Sequence, residues 1–180
     1  MDAIEIHPYD PTWPELFLAT ARPIRAALGE VAVRIDHIGS TSLPGVAAKP
    51  IIDLQISVTG FEPFERILKP MEALGYGWRS DNPELTKRYF REPTGARRTH
   101  VHVREAGSWS EQMALLFRDY LRLHPDDCAA YVELKHRLAV QYRDDREAYT
   151  DAKDPFIWQI LSKADKWSQA VGWRPGPSDV

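Results

Sequence analysis

The stretch IIDLQISV, residues 51–58, alternates without a fault. Ile52, Leu54, Ile56 and Val58 fall on one side; Ile51, Asp53, Gln55 and Ser57 fall on the other. A side-chain period of two is the mark of a β-strand, and it puts Asp53 and Gln55 on the same face. A second alternation, VAVRIDHI at 31–38, places Val31, Val33 and Ile35 on one face of another strand. Between the two runs lies GSTSLPGVAAKP. A plain connection needs only a glycine or proline and something soluble. This one carries a Gly-Ser pair, two more hydroxyls and a lysine. The two strands and their connection therefore limit the chain to folds containing a sheet, and they mark one edge of it as chemically loaded.

The rest of the chain supplies helices and two further strands. DPTWPELFLATARPIRAALGE reads as a first helix, with Thr12 as N-cap and Glu15 completing a capping box. Pro14 suits the first turn, Pro23 predicts a kink or split, and Gly29 is a stop signal. EPFERILKPMEALGYG is a second helix. KRYFRE is a short strand, and RRTHVHVRE another, with His100, His102 and Arg104 on one face and Val101 and Val103 on the other. The remainder reads as three helices: SEQMALLFRDYLRLH, one continuous run from Pro125 to Lys153, and a last one opened by Pro155. The fold class is α/β (α+β): a mixed β-sheet flanked by helices, with a helical C-terminal part.

A length of 180 residues suits one domain, expected over 1–170, and the Gly- and Pro-rich stretch 171–180 is expected to be a flexible tail. The net charge of −3 speaks against bulk attraction to long nucleic acid or to an anionic membrane. With Cys128 as the one cysteine, no internal disulfide forms, which points to a reducing, cytoplasmic setting. No leader and no membrane span is expected.

Three patterns bear chemistry. The first is Gly39, Ser40, Thr41 and Ser42, a turn able to cradle phosphate, with Lys49 and then Asp53 on the next strand. A capped turn beside a solvated aspartate is the plainer alternative. It is not a P-loop, because G-x-x-x-x-G-K-[ST] is absent. The second is the His100/His102 pair, able to share a metal or contact a phosphate, or simply to face solvent. The third is residues 79–104, where seven cations outnumber three anions in a chain of net charge −3. That local excess suits a small phosphorylated ligand better than a long nucleic acid. Arg118 and Arg122 stand one helical turn apart, and Lys135 and Lys153 would share a face of an unbroken helix; most of these read as surface charges. Tyr131, Leu134, Leu138 and Tyr142 recur at helical spacing and read as core.

Taken together, YDPTWPELF, DHIGSTSLPGVAAKPIIDLQISV, THVHV, FRDYLRLHPDDCAAYVELKHRLA and YTDAKDPFI resemble the GrpB family over residues 7–167. The resemblance implies the nucleotidyltransferase superfamily fold. It maps Gly39 and Ser40 onto the nucleotide-phosphate turn and Asp53 onto the first metal carboxylate. The superfamily's second carboxylate position is Gln55 here, and the third-strand carboxylate is replaced by His100 and His102. One Asp, one Gln and two His can hold a single divalent ion (Mg²⁺, Mn²⁺ or a transition metal) or none.

The leading expectation is metal-dependent transfer of a nucleotidyl group from an NTP to a small acceptor. Ser40 and the backbone around Gly39, with Thr41 and Ser42, would bind the phosphates. Asp53, Gln55, His100 and His102 would hold the metal. Lys49, with Arg88 or Arg98, would neutralise developing charge, and Asp53, Lys49 and His102 form the catalytic set. The alternatives are a catalytically degenerate protein that binds a nucleotide or phosphometabolite, and a metal-dependent phosphohydrolase.

Overall fold

The computed structural model describes residues 3–180. Helix α1 (Trp13–Leu28) leads into β1 (Arg34–Ile38), and a 3-10 turn (Ser40–Ser42) opens the connection to β2 (Ile52–Val58). Next come α2 (Glu65–Ala73), β3 (Gly77–Trp78), β4 (Lys87–Arg91) and β5 (Thr99–Glu105). Helices α3 (Trp109–Leu123), α4 (Pro125–Gln141), α5 (Arg146–Asp151) and α6 (Asp154–Val171) close the chain.

The sheet order is β1-β2-β5-β4-β3. All neighbours are antiparallel except β2 and β5, which run parallel. A parallel pair needs a long crossover, and α2 with the β3–β4 hairpin supplies it.

Strand parity sorts the two faces. Ile52, Leu54, Ile56, Val58, Phe90, Val101 and Val103 pack with Trp13, Phe17, Ala21, Ile24 and Leu28 into the main core. The α1 residues in that set recur three or four apart, so one stripe of the helix is spent on the sheet. The opposite face carries Asp36, Asp53, Gln55, Ser57, His100, His102 and Arg104 in register across β1, β2 and β5. The C-terminal helices cover it. Their own core joins Leu43, Val46, Tyr120, Leu121, Tyr131, Ile160 and Ala164. A smaller cluster of Ile4, Leu134, Leu138, Ala139 and Tyr149 closes the far end.

Several local expectations give way to competing interactions. Thr12 is already helical and caps nothing with its side chain. Its N–H and hydroxyl both donate to the Asp10 carboxylate, at 2.8 and 2.7 Å, so an aspartate turn replaces the capping box. Helix α1 runs through Pro23 unbroken. Pro23 is exposed, so the carbonyl freed by its missing N–H faces water. Val31 belongs to a 3-10 turn ahead of β1, and Val33 is half exposed. The long C-terminal helix breaks at Tyr142 and restarts as α5, capped by Asp145 accepting from the Ala148 N–H.

The stretch expected to be a flexible tail is docked along β1. The Ser178 hydroxyl accepts from the Ile35 N–H at 2.8 Å, and the Asp179 N–H donates to the Ile35 carbonyl at 3.1 Å. The Asp179 carboxylate accepts from the His37 N–H at 2.9 Å and from Arg118 at 3.0 Å. The Trp173 indole N–H donates to Asp119. Edge-strand backbone groups without a strand partner seek other ones, and this tail brings serine and aspartate to them. Among the described residues no helix is long and apolar enough to cross a membrane.

A carboxylate and two histidines at the end of a cationic cavity

The parallel pairing of β2 with β5 sets Asp53 opposite His100 and Gln55 opposite His102. His100 Nδ1 lies 3.0 Å from Asp53 Oδ1, and His102 Nε2 lies 3.7 Å from the same oxygen. One donor atom from each of the three residues falls within 4.8 Å of the others. Burial works to raise the Asp53 carboxyl, but the two imidazoles outweigh it and hold Asp53 below the usual carboxylate range. Burial pushes His102 down to about 4, against the pull of Asp53, so its ring is neutral at pH 7. Its Nδ1 is buried with no hydrogen-bond partner among the described residues.

Gly39 makes this arrangement possible. Its φ is +70°, in the left-handed region, and a Cβ there would lie 2.5 Å from Asp53 Oδ2 and 2.9 Å from Asp53 Cβ. Only glycine fits both the backbone and the neighbour. In the turn that follows, the hydroxyls divide. Ser40 donates weakly to the Tyr131 hydroxyl at 3.4 Å and lines the cavity. Thr41 is buried, donating to the Ile51 carbonyl at 3.2 Å and lying 3.0 Å from His37 Nε2. Ser42 donates to the Gly39 carbonyl at 2.7 Å. Thr41 and Ser42 thus brace the turn with the hydroxyls that were expected to grip phosphate.

Gln55 also departs from its expected place among the metal ligands. It is fully buried. Its Oε1 accepts from Arg104 at 2.6 Å, and its Nε2 donates to the Glu111 carbonyl at 3.3 Å. The donor set is therefore Asp53, His100 and His102, with Gln55 tied to a guanidinium beside it. Glu111 anchors the other end of this polar face by accepting from the Ser57 hydroxyl and the Gly107 N–H.

A cavity of about 380 Å³ opens between this face and the C-terminal helices. Gly39, Ser40, Asp53, His100 and His102 line one end. Lys49, Lys135 and Lys153 line it too, set against two tyrosines. The Lys49 and Lys153 amines stand 4.6 and 4.7 Å from the Tyr149 ring centre, and Lys135 stands 4.6 Å from that of Tyr131. Lys135 also donates to the Ala47 carbonyl. Burial lowers Lys49 to about 8, with Lys153 and Arg146 adding to the effect, and lowers Lys135 to about 7.

Of the expected charge-neutralising residues, Lys49 reaches the cavity and Arg88 does not. Arg88 stacks 4.1 Å from the Phe61 ring centre, on the opposite face of the sheet. It alternates with Tyr89 and shares the parity of Phe90, whose side chain belongs to the main core. Arg98 lines a neighbouring groove with Lys49. Lys135, only 2% exposed, and Lys153 were expected at the surface but are cavity walls. Arg118 is likewise buried, held by Asp119, Asp179 and the His37 carbonyl. Arg104 was expected on the His100/His102 face, but Tyr131, Tyr149 and Glu111 had no sequence signal tying them to the site.

Comparison with known proteins matches this arrangement to a family. The chain is 46% identical over 167 residues to a UPF0157 protein of Pseudomonas aeruginosa, covering 91% of this chain and 68% of that one. It is 31% identical over 197 residues to the dephospho-CoA kinase of Mycolicibacterium paratuberculosis, covering 96% of this chain but only 48% of the kinase. The crystal structure of GrpB from Enterococcus faecalis superposes with a TM-score of 0.83 at 34% identity, over 92% of this chain and 99% of that one. A poly(U) polymerase structure, Cid1 with bound MgGTP, superposes with a TM-score of 0.53 at 15% identity, over 73% of this chain and 43% of that one. At that identity the likeness shows a shared nucleotidyltransferase-type fold. The family model described as GrpB protein matches residues 3–163, and with it the sheet, the Gly39 turn and all three residues of the Asp53–His100–His102 cluster; the chain belongs to the GrpB family.

Proposed function

We propose that the protein is a nucleotidyltransferase-type enzyme that moves a nucleotidyl group from an NTP to a small acceptor. The observation that carries this reading is the placement of Gly39 and Ser40 beside Asp53 in one cavity that also holds three lysines. A cavity of about 380 Å³ is of the size that holds a small-molecule ligand. Ser40 and the turn backbone would bind phosphate oxygens. Lys49, Lys135 and Lys153 would balance the remaining charge, and the faces of Tyr131 and Tyr149 would pack the base or sugar.

The donor set fits one divalent ion. Two imidazoles and one carboxylate suit Mn²⁺ or another transition ion better than Mg²⁺. Asp53, His100 and His102 would hold it, and when bound it supplies positive charge against the phosphates. In the transfer itself, the acceptor hydroxyl oxygen bonds to the α-phosphorus. The bond from that phosphorus to the bridging oxygen breaks, pyrophosphate leaves with the electron pair, and the hydroxyl proton goes to solvent.

The test is a thermal shift of the wild type against an NTP panel with Mn²⁺ or Mg²⁺, beside Asp53→Asn, followed by a pyrophosphate-release assay. Ligand at about a hundred times its Kd adds roughly 2.7 kcal/mol to stability. Asp53→Asn is expected to remain folded and to lose both the metal-dependent shift and the release. Retained release in that variant would end the reading. One observation favours a second reading, a nucleotide sensor without turnover: Gln55 is committed to Arg104, leaving Asp53 as the one carboxylate of the cluster. A nucleotide-dependent shift with no pyrophosphate would support it. The kinase name belongs to a protein of which this chain matches less than half, and it is not carried over.

A further inference from the structure

The chain segments that enter β2 and β5 lie side by side, because the two strands are parallel. Lys49 leads into β2, and Arg97 and Arg98 lead into β5. The Ile52 N–H donates to the Arg98 carbonyl at 3.3 Å, so Arg98 continues the line of β5 one residue outward. By parity Arg98 follows His102 and His100 along one face. Past the Asp53–His100 pair, this rim forms a second groove of about 460 Å³. Lys49, Arg97, Arg98 and Arg146 line it, and it shares Lys49 and Ile51 with the central cavity.

Among the described residues these cations have no carboxylate partner. Arg34, Arg79, Arg91 and Arg118 all pair with carboxylates. None of the ion pairs among the described residues includes Lys49, Arg97, Arg98, Arg146 or Lys153. The Nε atoms of both Arg98 and Arg146 are buried with no hydrogen-bond partner among the described residues. Glu5, on the groove wall, stands 3.5 Å from His7. Several guanidinium groups lining one groove without a carboxylate partner suit a compact anion of high charge.

We infer that this groove is the acceptor subsite, and that the acceptor is a small phosphomonoester gripped by Arg98 and Arg146. The inference rests on the transferase reading. Arg98 lies two residue steps from His100, on the order of 7 Å of rise. That spacing suits a phosphate held a few bonds away from the hydroxyl that reacts beside Asp53. A long nucleic acid fits less well, given a net charge of −3 and Glu5 on the groove wall.

Calorimetric titration at low ionic strength tests it, with ribose 5-phosphate as probe and ribose as control. The proteins are the wild type, Arg98→Gln/Arg146→Gln, Arg98→Lys and Asp53→Asn. Ribose 5-phosphate is expected to bind the wild type and ribose is not. The double variant should bind it at least tenfold more weakly while keeping its melting midpoint and its Mn²⁺–ATP shift. Arg98→Lys should recover part of the loss, and Asp53→Asn should bind the probe as the wild type does. Undiminished binding in the double variant, or no heat at about 10 mM probe, overturns the inference, as does equal affinity for malonate. If ribose 5-phosphate binding needs the arginines but no nucleotide shifts the wild type, the groove stands as a phosphate site. The transferase reading and the acceptor role then fall.

Discussion

At the scale of single residues, Gly39 is the tightest point of the site. A Cβ at Gly39 meets Asp53, whereas a Cβ at Gly45, with φ of +76°, meets nothing within 4 Å. The pair separates backbone strain from contact. Gly45→Ala should cost about 1–2 kcal/mol, the ordinary cost of a left-handed alanine. Gly39→Ala should cost more and should also abolish the Mn²⁺-dependent nucleotide shift, because Asp53 must move. Equal melting midpoints in the two variants would show that the Asp53 contact has no force. Asp53, His100 and His102 were legible from the sequence because strand parity fixes faces, and the register of β2 with β5 then brings the faces together. Thr41 and Ser42 spend their hydroxyls on the Ile51 and Gly39 carbonyls, since a hydroxyl satisfies a backbone group as readily as a phosphate, while Thr41 still borders the cavity. Arg88 had a readable signal: in KRYFRE it shares the parity of Phe90, and an apolar partner on a strand marks the core face. Gln55 could not be placed, since its partners, Arg104 and Glu111, lie 49 and 56 residues away.

At the scale of elements, β1 is held on both faces. On its core face His37 stacks on Phe17, ring centres 4.7 Å apart and planes nearly parallel. Burial lowers His37 from 6.5 to about 4, with Asp53 and Asp179 pulling upward and Arg122 and Arg118 pushing down. Between those values the unfolded chain takes up a proton that the folded chain refuses. The stability that His37 contributes is therefore present above pH 6.5 and lost as the pH falls toward 4. By pH 5 the loss is about 2 kcal/mol, before most carboxylates titrate. Melting midpoints from pH 7 to 5 should fall less steeply in His37→Gln than in the wild type. Identical slopes would mean that His37 is not held neutral. Four of the five strands and most helices were readable from period alone; the two-residue β3, Gly77–Trp78, was not. The break between α4 and α5 was not, because QYRDDRE reads as helix-compatible and no Gly or Pro interrupts it. Its effect on the site is to turn the chain: Lys135 precedes the break and Lys153 follows it, yet both reach one cavity.

At the scale of the whole molecule, the sheet has a dry side and a wet side. The dry side faces α1 and α2 and carries the main core. The wet side ties Ser57, Gln55 and Gly107 to Glu111 and Arg104 and leaves Asp53 and the two histidines toward the cavity. A ligand there touches the sheet and the C-terminal helices at once, so both halves of the chain contribute to any binding free energy. The docking of residues 173–180 on β1 has a further consequence, for solubility. The outward N–H and C=O of Ile35 and His37 are all taken, by Ser178, Asp179 and Arg118. On the opposite border β3 is two residues long. A chain that ends at Gly172 would leave β1 as an open template for strands of its neighbours. Such a chain should scatter light and elute as concentration-dependent oligomers under conditions where the longer one does not. The stretch read as a loose end thus covers the edge at which polymerisation would start.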